Sequence, residues 1–327
     1  MPVLLIVIIG IALVFDFLNG FHDSSNIVAT MISSRAVPPR LALTMTAVAE
    51  FCGPFLFGVA VATTIGSEVV DPTAISSAVI IAALSSAVVW NLFTWYFGFP
   101  SSTSHALIGG IIGAVGVAEG LSTIRPAGIE KVLIALFVSP ILGLAIGYLV
   151  LKLIYFLARG AGPSVNTIFK RGQIVTALAL ALSHGTNDAQ KTMGVIAMAM
   201  VTTGFTTTFR IPWWVIALSA GAIALGTGLG GWRLIKTLGG RFYKIRPVHA
   251  FGSQLTSAGI ILGAALLGGP VSTTQVVSSS IMGAGAADRL SKVRWTVARD
   301  IAVAWVLTIP VSALLAAGLY LLVDLVV

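Results

Sequence analysis

The sequence predicts an all-α polytopic membrane protein made of two inverted repeats, with broken helices and re-entrant-like hairpins. Three observations predict it. The composition is 57% hydrophobic and only 9% charged, with a mean hydropathy of +1.01, so the solvent is a bilayer. A polar stretch, Ser183-His184-Gly185-Thr186-Asn187-Asp188-Ala189-Gln190-Lys191, interrupts the apolar run 174–201 and is echoed by Gly20-Phe21-His22-Asp23-Ser24-Ser25-Asn26 at an offset of 165. The turn Gly98-Phe99-Pro100-Ser101-Ser102-Thr103-Ser104 recurs as Gly268-Gly269-Pro270-Val271-Ser272-Thr273-Thr274 at an offset of 170. Two motif types in one order at nearly one offset divide the chain into repeats at 1–160 and 165–327.

Taken in order, run 3–17 is expected to break at 19–26 and resume to 32. Without a basic leader region, it reads as a retained first span and not a signal peptide. Run 41–62 carries Glu50, and 63–72 reads as an acidic loop. Run 73–97 meets the first Pro-x-Ser turn, and the 13 residues 106–118 behind it are short for a full crossing. Residues 129–157 form a long span. The order then repeats as 174–201 (broken at 184–188), 211–231, 248–267, a short 276–287 and a closing run from 295.

The net charge of +8 invites a nucleic-acid partner, but the lysines and arginines fall in short loops between apolar runs. That is the positive-inside pattern. With both termini outside, 15 of the 19 basic residues fall on the cytoplasmic side, and only Arg125, Lys131 and Arg210 fall outside. The same count makes the two repeats enter from opposite faces. Arg299 and Asp300 read as a structural pair, and His249 as interfacial. The single cysteine, Cys52, excludes an internal disulfide.

The chemistry concentrates in the repeated motifs. In the turns, proline ends one helix and Ser or Thr caps the next. A helix N-terminus offers unpaired N–H groups and partial positive charge, an anion site. Ser102, Thr103 and Ser104, meeting Ser272, Thr273 and Thr274 at the midplane, would suit a tetrahedral oxyanion. In the broken-helix motifs, Asp23, Asn26, Asn187 and Asp188 are hard oxygen donors beside glycine, suited to holding Na⁺ or H⁺. Ser25 and Gln190 are adjacent candidates. Lys191 occupies the place of Asn26. It can neutralise Asp188 or Asp23 as a tethered cation, or contact the anion. Glu50 is a lone intramembrane acid suited to a proton or an ion pair, and His22, His105 and His184 border the site. No nucleophile–His–acid spacing, Cys/His metal cluster or ATPase-type phosphate loop is present in the sequence, so no enzyme and no resident cofactor is expected.

At these residues the chain resembles the inorganic phosphate transporter (PiT) family, in its bacterial low-affinity type. The family's duplicated Gly-x-Asn-Asp signature is matched by Gly185-Thr186-Asn187-Asp188 and more loosely by Gly20-Phe21-His22-Asp23. Its two Pro-x-Ser turns are matched at 100–104 and 270–274. The resemblance implies phosphate symport driven by H⁺ or Na⁺ across the cytoplasmic membrane, and a homodimer. It implies cation coupling at Asp23, Asn26, Asn187 and Asp188, and phosphate contacts at 102–104 and 272–274. His22 and Lys191 depart from the sodium-dependent pattern and resemble the proton-coupled branch, in which a neutral metal–phosphate complex can be the species carried. Rival readings are a sulfate carrier and a passive anion channel. Buried carboxylates argue against the channel.

Overall fold

The computed structural model describes residues 2–99, 101–230 and 245–326, without the side chains of Val297, Asp300 and Ile301. Pro100, the expected cytoplasmic bases Arg233, Lys236, Arg241 and Lys244, and the Asp300 half of the expected Arg299–Asp300 pair therefore lie outside the described residues.

Apolar runs become helices because a lipid core leaves each backbone polar group to be satisfied within its own segment. Among the described residues there are eleven: α1 (Val3–Ser33), α2 (Pro39–Phe57), α3 (Ala60–Thr63), α4 (Ser77–Phe97), α5 (Thr103–Ala118), α6 (Pro126–Leu157), α7 (Val165–Thr202), α8 (Trp213–Leu229), α9 (Pro247–Leu266), α10 (Thr273–Asp288) and α11 (Trp295–Val323). Five of these, α1, α2, α4, α6 and α11, are long and apolar enough to cross a membrane.

Among the described residues five helices of each half correspond, and α3 has no counterpart. Helices α5 and α10 have 16 residues each and begin 170 apart. Gly98 and Gly268, also 170 apart, both take left-handed backbone (φ 71° and 73°), which only glycine adopts without strain, and so end the arms before the turns. Ser102 and Ser272 cap α5 and α10 by accepting from the N–H of His105 and Gln275. Pro140 inside α6 and Pro310 inside α11 repeat the spacing again.

The halves are interleaved rather than separate. Helix α1 packs on α8 and α7 on α2, while α5 packs on α11 and α10 on α6. Glycines set these contacts. A Cβ on Gly20 would strike the Ile223 carbonyl, and one on Gly185 the Glu50 carbonyl. Gly113 meets the Ala313 backbone and Gly283 the Leu144 backbone in the same way. Small residues that admit close backbone approach drive helix association in lipid. Gly283→Leu is therefore expected to destabilise the fold by about 3 kcal/mol or more, since the backbone it meets cannot yield. Gly318→Leu, on a face with nothing within 4 Å, should leave the protein intact. Monodispersity and melting temperature in detergent would read both.

The expected breaks at 19–26 and 184–188 are corrected: α1 and α7 run through both stretches without interruption. Their glycines serve as contact points. Ser24, Ser25, Ser183 and Thr186 return their hydroxyls to carbonyls of their own helix. The observed break falls after α2, at Gly58 (φ 81°). Gln190 bridges it, accepting from Val61 N and Ala62 N and donating to Gly58 O at 2.6 Å. The stretch 63–72 is likewise not a simple loop, since Thr64–Glu68 forms a π-helical turn. Arg125 and Lys131 tie this turn to α6 through Asp71 and Glu68. His249 is buried at the start of α9, 3.1 Å from Tyr155 Oη.

Candidate functional site

The two hairpin tips meet. Ser104 Oγ donates to Val271 O at 3.0 Å, and His105 Nε2 lies 3.3 Å from Gln275 Nε2. His105 and Gln275 are 170 apart, so equivalent residues of the two repeats touch each other. That happens only at a pseudo-twofold axis, and the axis passes through this contact.

Helices α1 and α7 flank the tips and supply the acids. Thr274 Oγ1 and Asn26 Nδ2 donate to Asp23 Oδ1 at 2.8 and 2.9 Å, and Asn26 also reaches Thr274 Oγ1 at 3.0 Å. Across the axis the pattern recurs with one substitution. Lys191 Nζ lies 2.8 Å from Asp188 Oδ1 and donates to Ser104 Oγ at 2.5 Å and to Val271 O at 3.0 Å. Thr273 Oγ1 donates to Asp188 Oδ1 at 2.9 Å, and Thr103 Oγ1 to Asn19 Oδ1 at 2.8 Å. Asn19 in turn donates to Asp188 Oδ2 at 3.2 Å. Each signature helix is thus bonded by both hairpins, which locks the interleaving to the site.

The Lys191 ammonium is therefore held by a carboxylate, a hydroxyl and a backbone carbonyl, all oxygen donors. Hard monovalent cations prefer the same set. The lysine is only 1% exposed, and its charge is balanced on the spot by Asp188.

His184 joins the acids. Its Nδ1 is 2.7 Å from Glu50 Oε1, and its Nε2 is 3.6 Å from both Asp23 Oδ2 and Asp188 Oδ2. Asp23, His184 and Asp188 offer three ligand atoms within 4.8 Å of one another. A histidine oriented by a carboxylate through Nδ1, with Nε2 turned to two further carboxylates, suits a divalent cation as well as a proton.

Most of the site residues singled out in the sequence gather here, in unequal roles. Thr103, Ser104, Thr273 and Thr274 point into the polar centre. Ser102 and Ser272 spend their hydroxyl oxygens as caps, and Ser102 also meets His105 Nδ1 at 2.7 Å. Asn187 Nδ2 donates to Gly269 O at 3.1 Å and so braces the second tip. Gln190 bridges the α2 break, and Ser25 bonds only its own helix.

Two residues were missed. Asn19 links Thr103 to Asp188, and Asp16 is a fully buried acid one turn before it. The signal for Asp16 was present: an ionisable residue inside an apolar span is a functional candidate by default.

The model of the "Phosphate transporter family" matches the chain twice, at residues 19–161 and 158–316. A Bacillus subtilis protein described as "Probable low-affinity inorganic phosphate transporter" is 44% identical over 328 residues, covering 99% of this chain and 98% of its own. A Rhizobium meliloti protein with the same description is 42% identical, covering 99% of this chain and 97% of its own. The solved structure titled "The sodium-dependent phosphate transporter" superposes with a TM-score of 0.89 at 24% identity, covering 99% of this chain and all of that one, and so shares the fold. A family model that spans both halves, with full-length relatives at this identity, establishes that the chain belongs to the phosphate transporter family.

Proposed function

We propose that the protein is a secondary active symporter that imports inorganic phosphate across the cytoplasmic membrane, coupled to protons rather than sodium. The observation that carries this reading is Lys191. Its ammonium already fills a site of oxygen donors beside Asp188, in the place where the other repeat has Asn26. A tethered cation removes the need for a sodium ion there. The structural neighbour's title names a sodium-dependent transporter, and at 24% identity that property does not carry over with the fold.

In this conformation the tip hydroxyls are closed on protein acceptors. Phosphate would enter as the tips part, exchanging the bonds of Thr103, Ser104, Thr273 and Thr274 for its own oxygens, with the N-termini of α5 and α10 as further donors. Asp23, Asn26, Asn187, Asp188 and Glu50 form the coupling group around His184. A proton on HPO₄²⁻ or H₂PO₄⁻ can be donated to Asp23 or Asp188, which sulfate cannot match. Sulfate in tenfold excess is therefore expected to leave phosphate uptake nearly unchanged.

A second reading is favoured by one observation, the Asp23–His184–Asp188 cluster with Glu50 behind the imidazole. It supports carriage of a neutral metal–phosphate complex, with the divalent ion as cargo. The full reading includes a homodimer, with both termini outside.

Radiolabelled phosphate uptake into proteoliposomes, under separately imposed pH and sodium gradients, tests the proposal. Accumulation driven by the pH gradient alone is expected. Accumulation that needs sodium overturns proton coupling, and flux that no gradient drives uphill leaves a channel. Chelating divalent metals in the same assay separates free phosphate from the metal complex.

A further inference from the structure

Among the described residues four buried carboxylates surround the centre, and three are engaged. Asp188 has Lys191, Thr273 and Asn19; Asp23 has Asn26, Thr274 and His22; Glu50 has His184. The fourth, Asp16, is 0% exposed, and neither of its oxygens has a hydrogen-bond partner among the described residues. It stands on α1 three residues before Asn19 and seven before Asp23, hence on the face that lines the site. The Thr192 hydroxyl of α7 faces it and is equally unpartnered.

The charged groups acting on it are Asp188, Lys191 and His184, all on α7. Helices α4 and α8, also packed on α1, carry no Asp, Glu, Lys, Arg or His, and the Glu50 of α2 is engaged by His184. Packing does not require an acid at this position. The equivalent residue of the second repeat, 165 further on, is Ala181, which is also fully buried. The carboxylates of Asp23 and Asp188 are doubled at this offset, and this one is not.

A buried carboxylate that lies inside a membrane span and lacks a hydrogen-bond or ion-pair partner is a candidate to carry a proton. We propose that Asp16 is a proton-binding residue of the transport cycle. It takes a proton from water on the side of the α1 N-terminus, forming the carboxyl O–H, and gives that proton to water on the other side once the site has turned. One proton then moves inward with each phosphate carried through this step. The proposal rests on the proton-coupled reading above and names a carrier for it.

The test uses full-length protein in proteoliposomes. Wild-type protein must first accumulate phosphate under an inside-alkaline pH gradient. If it does not, the proton-coupled reading fails and takes this proposal with it. Given that result, Asp16→Asn is expected to lose gradient-driven accumulation by about tenfold or more. It should keep phosphate–phosphate exchange at equal pH within about twofold, with the pH dependence of exchange flattened. Asp16→Glu should restore accumulation. Accumulation by D16N at the wild-type level overturns the proposal, and so does loss of exchange together with accumulation. If D16N does not reach the membrane folded, Asp16→Ala, which installs the residue of the equivalent position, is read by the same criteria.

Discussion

Asp188→Asn is expected to abolish phosphate uptake, by about a hundredfold or more, and to destabilise the protein by about 3–5 kcal/mol. The geometry sets the size of both effects. Among the described residues Asp188 is the one carboxylate paired with Lys191, and it also receives Thr273 and Asn19. Neutralising it leaves a fully desolvated ammonium with only a hydroxyl and a carbonyl for partners. The double variant D188N/K191M removes both charges and should recover most of the lost stability without recovering transport. Thermal unfolding in detergent and uptake in proteoliposomes read the two quantities separately. Equal stability of D188N and the double variant would show that the ion pair is not what holds the α7 side of the centre together.

The parts of this centre that were legible in the sequence are the doubled ones. Thr103 and Thr273, Asp23 and Asp188, and Asn26 and Lys191 each stand at a repeat offset, so one member draws attention to the other. The hairpin tips were legible for a further reason. Glycine before proline before serine has few backbone options, and Gly98, Gly268, Ser102 and Ser272 behave as their residue types require.

What could not be read depends on partners remote in sequence. Gly20 and Gly185 looked like helix breaks because a glycine beside polar residues in an apolar run has two uses. Only the carbonyls of Ile223 and Glu50, pressed against them, decide for close packing. The Glu50–His184 contact joins residues 134 apart in different repeats, outside either repeat offset. Gln190 looked like a ligand of the site and instead bridges the break after α2, which itself left no strong mark in the sequence beyond Gly58. Asp16 has Ala181 at its repeat position, and that asymmetry is the reason to test it.

Lys191→Asn is expected to turn a sodium-indifferent transporter into one stimulated by sodium, about tenfold or more at saturating ion. This variant is the converse of D188N, and its outcome differs because of the sign of the charge left behind. Removing the ammonium leaves Asp188 Oδ1, Ser104 Oγ and Val271 O converging on the space it occupied, with a new amide that matches Asn26 across the axis. That is an anionic oxygen cluster, and a small monovalent cation from solution can compensate it. Without sodium, K191N should therefore transport poorly and unfold earlier than wild type. With sodium, both should recover. Uptake and melting temperature measured against sodium concentration would show one common midpoint if a single ion restores both. A variant that stays indifferent to sodium in both measurements would mean that Lys191 contacts the anion instead, with its pairing to Asp188 incidental to coupling.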